Sequence, residues 1–136
     1  MDVENINQLI KQKPNLSTAL GMEFLSTPED DTCMARMKVD ERNRQPFGFL
    51  SGGASLALAE NVAGGGGSAL CPGGACVGVE GSGSPGQGGS GGETGSRHAR
   101  LQHRGNTLHV WHVEIRNTAD ELISTVRVTN YIIKKH

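Results

Sequence analysis

Gln45, Gly52, Gly53 and Glu60 are the residues whose types and spacing suit one piece of chemistry, attack on a carbonyl. Gln45 offers an amide donor. Gly52 and Gly53 let a ligand come close to the backbone. They stand just before Ala54–Ala63, a run of small and apolar helix formers, so they fall at a helix N-terminus with free N–H groups and the positive end of the dipole. Ser51 is the N-cap candidate, its hydroxyl able to accept from an orphan N–H. Such donors make an oxyanion site. Glu60 is the only acidic residue of the helix. A helix apolar on nearly every side should be largely enclosed, and burial would raise the pKa of Glu60 and strengthen it as a base. Glu60 follows the glycines by seven or eight residues, roughly 11–12 Å along a helix axis. It cannot reach a carbonyl held at the N-terminus of its own helix. A symmetric oligomer solves this by placing Glu60 of one subunit opposite the glycine turn of another.

Other constellations are weaker. His109 and His112 are three apart on a strand and face opposite sides, so they cannot chelate together without a bulge; for these two and for His103 a plain structural role is the favoured reading. Arg104 and Asn106 stand at a turn where they could meet the phosphates or ribose of a nucleotide, Arg by its forked donors; a solvated turn is the competing reading. Gly64-Gly65-Gly66-Gly67-Ser68 lacks the Lys-Ser/Thr ending of a P-loop. Three cysteines, Cys33, Cys71 and Cys76, make a poor disulfide framework and lack metal-ligand spacing, so reduced thiols and no metal site are expected. A net charge of −1 gives no basic surface for nucleic acid. No apolar run reaches the roughly 20 residues of a membrane span. The acidic, polar N-terminal residues do not resemble a signal peptide, and a cytoplasmic protein is expected.

The 136 residues fit one domain. Val3, Ile6, Leu9 and Ile10 form a helical stripe that Lys13-Pro14 ends, and a short helix through Leu16–Leu20 closes at Gly21. Met22–Ser26 and the alternating Cys33, Ala35, Met37 and Val39 make a hairpin. Residues 43–53 form a loop into the helix Ala54–Ala63. Fifteen of the twenty glycines lie between Gly64 and Gly95. From Gly64 to Ser96 only Ala75–Val79 has strand character; the rest, especially Gly81–Gly95, has linker composition. Ala99–His103 is a strand, and Thr107–Asn117 is another with His109, Trp111, Val113 and Ile115 on one face. Leu122, Val126, Val128 and Ile132 share a face of the last. The order predicts an α+β fold in which the apolar helix covers an antiparallel sheet.

The string Gln45-Pro46-Phe47-Gly48-Phe49-Leu50-Ser51-Gly52-Gly53-Ala54-Ser55, followed by Ala59-Glu60, resembles the signature of hotdog-fold acyl-CoA thioesterases of the phenylacetate-degradation type. That subgroup includes 4-hydroxybenzoyl-CoA and 1,4-dihydroxy-2-naphthoyl-CoA thioesterases. Gly105-Asn106-Thr107-Leu108-His109-Val110-Trp111 resembles its strand after the CoA-binding turn. The resemblance implies a single hotdog domain over residues 1–136, a sheet wrapped around one central helix, assembled as a dimer or tetramer. It implies hydrolysis of an acyl-CoA, with an aromatic acyl group, to free acid and CoA. Gln45 would polarise the carbonyl, the N–H of Gly53 or Gly52 would complete the oxyanion hole, and Glu60 would be general base or nucleophile. Ser51, Gly52, Gly64, Arg104 and Asn106 would touch substrate. No cofactor is implied, since coenzyme A belongs to the substrate. Ser51 replaces a His of many relatives, and Gly64 a Ser or Thr of some. The segment Ser82–Ser96 lacks the family's alternating apolar residues and Asn-His pair. The alternative is a hotdog protein that binds acyl-CoA with little or no turnover.

Overall fold

The computed structural model describes residues 1–70, 75–85 and 93–133, with side chains for all of these except 75–77, 79–85 and 93–98. The elements run α1 (Glu4–Gln12), α2 (Leu16–Leu20), β1 (Met22–Leu25), β2 (Thr32–Lys38), α3 (Gly52–Leu70), β3 (Ala75–Pro85), β4 (Glu93–Arg104), β5 (Leu108–Asn117) and β6 (Leu122–Ile133). The six strands form one antiparallel sheet in the order β1-β2-β4-β5-β6-β3. The sheet wraps α3, as expected. No described helix is long and apolar enough to cross a membrane.

The core is one cluster between α3 and the inner sheet face. Leu58, Ala59, Val62 and Ala63 of α3 meet Cys33, Ala35 and Met37 of β2 and Trp111, Val113 and Ile115 of β5, all 1% exposed or less. The alternation read in β2 and β5 therefore marks the buried face. Burial pushes the Cys33 thiol up to about 11, so it stays an unreactive thiol. Cys71 lies outside the described residues. On β6 the expected face is corrected at its start. The register shifts between Ile115 and Arg116; this turns Leu122 out to 50% exposure and buries Ile123 instead, while Val126, Val128 and Ile132 face inward.

α3 is longer than expected. It runs through Gly64–Gly67 to Leu70, where a linker composition had been read. Glycine costs about 1 kcal/mol per helical residue relative to alanine, so tertiary contact must hold this part. A Cβ at Gly65 would lie 2.6 Å from Phe24, and one at Gly66 would lie 2.6 Å from Trp111 and 3.3 Å from Cys33. Bare backbone lets the helix sit against the aromatic floor. The strands flanking the glycine-rich stretch are also longer than their side chains suggest: β3 reaches Pro85 by pairing with β6, and β4 begins at Glu93 by pairing with β2 and β5. Backbone hydrogen bonds define these strands where side-chain alternation is missing.

α1 is fastened to β1. The Asn7 amide donates to the Phe24 carbonyl at 2.7 Å and accepts from its N–H at 3.0 Å. Val3 N–H donates to Ser26 Oγ. α2 begins in a capping box of Asn15 and Thr18 and ends at Gly21, whose φ of 82° only glycine adopts readily.

Two polar side chains lie opposite each other beneath α3. His109 and Asn130 are cross-strand partners, 1% and 0% exposed. Asn130 Nδ2 donates to the Ala63 carbonyl at 3.1 Å. His109 Nδ1 has no partner among the described residues. Its pKa lies below the ordinary 6.5 because burial disfavours the cation, aided by the charges of Arg104 and His103. The folded state thus prefers neutral imidazole. Its contribution is complete above about pH 6.5 and is lost as pH falls through the lowered folded value.

Two outcomes follow. Gly64, where a Cβ meets nothing within 4 Å, and Gly66 should respond oppositely to alanine in urea denaturation. Gly64→Ala should stabilise by up to about 1 kcal/mol, and Gly66→Ala should destabilise by about 1–3 kcal/mol through overpacking; equal signs would refute the close-approach account. Acidification from about pH 7 to about pH 5 should lower stability by up to about 1.4 kcal/mol per pH unit from His109. His109→Phe should flatten that slope, and an unchanged slope in the variant would assign the effect elsewhere.

Candidate active site

The loop before α3 is built around Asn43, which is 4% exposed. Its amide donates to the carbonyls of Lys38 at 2.7 Å and Leu20 at 3.1 Å, and accepts from Asp40 N–H at 3.0 Å. Its carbonyl takes Ser51 N–H at 2.9 Å. One residue thus joins the end of β2 and the end of α2 by its side chain and the start of α3 by its backbone carbonyl. Nothing in the sequence separated Asn43 from an ordinary turn asparagine.

Beyond Asn43 the chain makes a tight reversal. Gln45 N–H donates to the Phe49 carbonyl at 2.8 Å, and Gly48, with φ of 94°, donates to the Gln45 carbonyl at 3.0 Å. Gln45 Oε1 accepts from the Phe47 N–H. The oxygen is therefore spoken for, which orients the amide and leaves its NH2 as a donor without a described partner. The Ser51 carbonyl accepts from Ser55 N–H at 3.1 Å, as an N-cap residue's should, while its hydroxyl makes no hydrogen bond among the described residues. Gly52 and Gly53 are exposed in the first turn of α3, with their N–H groups unclaimed by the helix.

Glu60 lies two turns further along. The expected burial is corrected: within one chain Glu60 is exposed. α3 presents one face to the sheet, and α1 and α2 cover only part of the opposite side. An open stripe remains, carrying Gly53, Leu56 and Glu60, with Gly64 and Ser68 partly covered. Leu56 on this stripe is 38% exposed, and Phe47 and Phe49 beside its N-terminal end are 86% and 44% exposed. Glu60 Oε1 would lie 3.1 Å from a Cβ at Gly78, so the carboxylate rests where a larger residue on β3 would displace it.

Glu60 also borders a cleft of about 280 Å³ between α1 and α3. Ile6, Leu9 and Ile10 of α1, Phe24 of β1, and Gly64, Gly65 and Ser68 of α3 line it. Glu60 and Gly64 thus share one space, while Gln45, Ser51, Gly52 and Gly53 share another at the start of the helix. The two groups are separated along α3 as the spacing requires. Arg104 and Asn106 are at neither: Arg104 Nη2 donates to the Leu70 carbonyl at 3.4 Å, at the C-terminal end of α3, and Asn106 is exposed in the adjoining turn. A cation there complements the helix dipole. No group of His, Cys, Asp and Glu among the described residues could hold a metal ion. The cleft escaped sequence reading, because it depends on how α1 docks.

The family model of the thioesterase superfamily matches residues 47–124, which span the end of the loop, α3, three strands and the start of β6. ComA2 of Bacillus subtilis, named as an esterase, is 39% identical over 125 residues, covering 90% of this chain and 98% of that protein. A 1,4-dihydroxy-2-naphthoyl-CoA hydrolase of Escherichia coli is 61% identical over 33 residues, 24% of each chain. The crystal structure of a thioesterase from Haemophilus influenzae superposes with a TM-score of 0.90 at 32% identity, covering 98% of this chain and 92% of that one. By sequence match and by fold, the chain belongs to the thioesterase superfamily and is a hotdog thioester hydrolase, with acyl-CoA hydrolysis as the family-level reaction.

Proposed function

We propose that the chain hydrolyses aromatic acyl-CoA thioesters, with Glu60 as general base or nucleophile and with the oxyanion donors supplied by a second copy of the chain. The observation that carries this reading is the split along α3: the free donors, Gln45 NH2 and the Gly53 N–H, lie at its start, while its only carboxylate stands two turns away on an open stripe. A two-fold arrangement of exposed stripes, with Leu56, Phe47 and Phe49 as apolar contacts, brings the two halves together and removes water from Glu60. The aromatic group is favoured by the named substrate of the E. coli relative.

As base, Glu60 takes a proton from water as its oxygen adds to the carbonyl carbon. Gln45 and Gly53 N–H hold the oxyanion. Its collapse breaks the C–S bond, the CoA thiolate leaves, and the proton on Glu60 passes to sulfur. As nucleophile, the Glu60 carboxylate itself adds and expels the thiolate; water then cleaves the mixed anhydride. Both routes yield free acid and CoA, and neither needs a cofactor. Ser51 and Gly64, in place of residues that assist in relatives, favour a second reading in which the ester binds and turns over slowly.

CoA release from benzoyl-CoA and a naphthoyl-CoA should fall by about 10²–10⁴-fold in Glu60→Ala, with circular dichroism unchanged because Glu60 is exposed. Equal rates would remove Glu60 from the mechanism, and tight binding without release in wild type would select the second reading. Mixing inactive Glu60→Ala chains with inactive Gln45→Ala chains should restore roughly a quarter of wild-type activity, from the one intact site of each mixed dimer. No recovery after co-refolding would place both groups in a single chain.

A further inference from the structure

We infer that the acyl group enters the cleft between α1 and α3 of the same chain that supplies Glu60, and that Gly64 and Leu9 set the size of acyl group accepted. This rests on the reading of Glu60 as the reacting carboxylate.

The cleft is continuous with Glu60, which is one of its lining residues. Its volume of about 280 Å³ lies just below the 300–1,000 Å³ of sites that hold drug-sized ligands. That suffices for an acyl group and excludes the coenzyme. Of the polar side chains on its wall, Ser17 and Asn61 are already engaged, which leaves Ser68 and Glu60: Ser17 Oγ donates to Asn61 Oδ1 at 2.9 Å, and Asn61 Nδ2 donates to the Ala57 carbonyl at 2.7 Å. The wall therefore presents Ile6, Leu9, Ile10 and Phe24 to an occupant that makes few hydrogen bonds. Leu9 is 61% exposed although it belongs to the apolar stripe of α1; an apolar acyl group beside it would take that surface out of water. Gly64 faces the cleft one turn after Glu60, and a Cβ there would meet nothing within 4 Å. The missing side chain is thus empty space in the cleft. At about 0.8 kcal/mol per buried CH₂, each methylene fitted into it strengthens binding about fourfold.

Wild type, Gly64→Leu and Leu9→Asp would be compared on acetyl-, hexanoyl- and benzoyl-CoA, reading kcat/KM by CoA release and Kd by titration of each ester. Gly64→Leu fills the space without a backbone clash, and Leu9→Asp alters an exposed helix position, so two independent variants report. Both should lower the ratio of hexanoyl or benzoyl to acetyl, in kcat/KM or in 1/Kd, by at least about tenfold. Ratios within about twofold of wild type in both variants would overturn the inference while leaving the Glu60 result untouched. Loss of assembly in Leu9→Asp with an unchanged ratio would overturn it too, by making the cleft a contact between copies. If wild type releases no CoA, the hydrolytic reading fails on its own, and the Kd ratios still decide the cleft.

Discussion

The distance between α3 and the sheet governs most of what this chain can do. Phe24 and Trp111 rise from the sheet where Gly65 and Gly66 pass over it, leaving no room for a β-carbon at either position. A helix with ordinary side chains there would stand further off. Its inner face would lose contact with Trp111, and Asn130 would lose the Ala63 carbonyl it now reaches. Four consecutive glycines weaken α3 as an isolated helix, so the aromatic floor must compensate. The same close approach fixes the rotation of α3 about its axis, and rotation decides that Glu60 points outward beside Gly78 rather than into the core.

Much of this was legible in the residues, and what was missed has identifiable physical causes. β2 and β5 show clean alternation because each has one buried and one wet face. The loop and start of α3 were legible because glycine pairs, a cap and a lone acid in an apolar run are locally unusual. The far half of α3 was misread, since Gly64–Gly67 has the propensity of a linker and is helical only through contact with residues distant in sequence. The extensions of β3 and β4 were missed for a related reason: glycine and serine carry no facial pattern, and strand pairing depends on backbone groups that every residue shares. Leu122 was placed on the wrong face because a single-residue register shift is invisible to a count of two.

The site was half legible. Gln45, Gly53 and Glu60 stand out by type and spacing, and helix rise alone separates the glycine turn from Glu60. Asn43, which holds the loop in place, and Asn7, which holds α1, look like any other asparagine until the groups they bridge are brought together. The expected enclosure of Glu60 failed because composition reports how apolar a helix is, while exposure depends on how much neighbouring structure one chain provides.

The pairing of Asn7 with Phe24 has a consequence for how copies of the chain can join. The outer edge of β1 is occupied by Asn7, by Ser26 Oγ bonding Val3, and by Thr27 N–H bonding the Met1 carbonyl. β3, at the opposite edge, has β6 as its one strand neighbour among the described residues. A sheet with two open edges can add copies end over end without limit, which is the route to fibres. Along β1 the N-terminal segment occupies backbone groups that an added strand would need, so α1 blunts that edge as a template for strand addition.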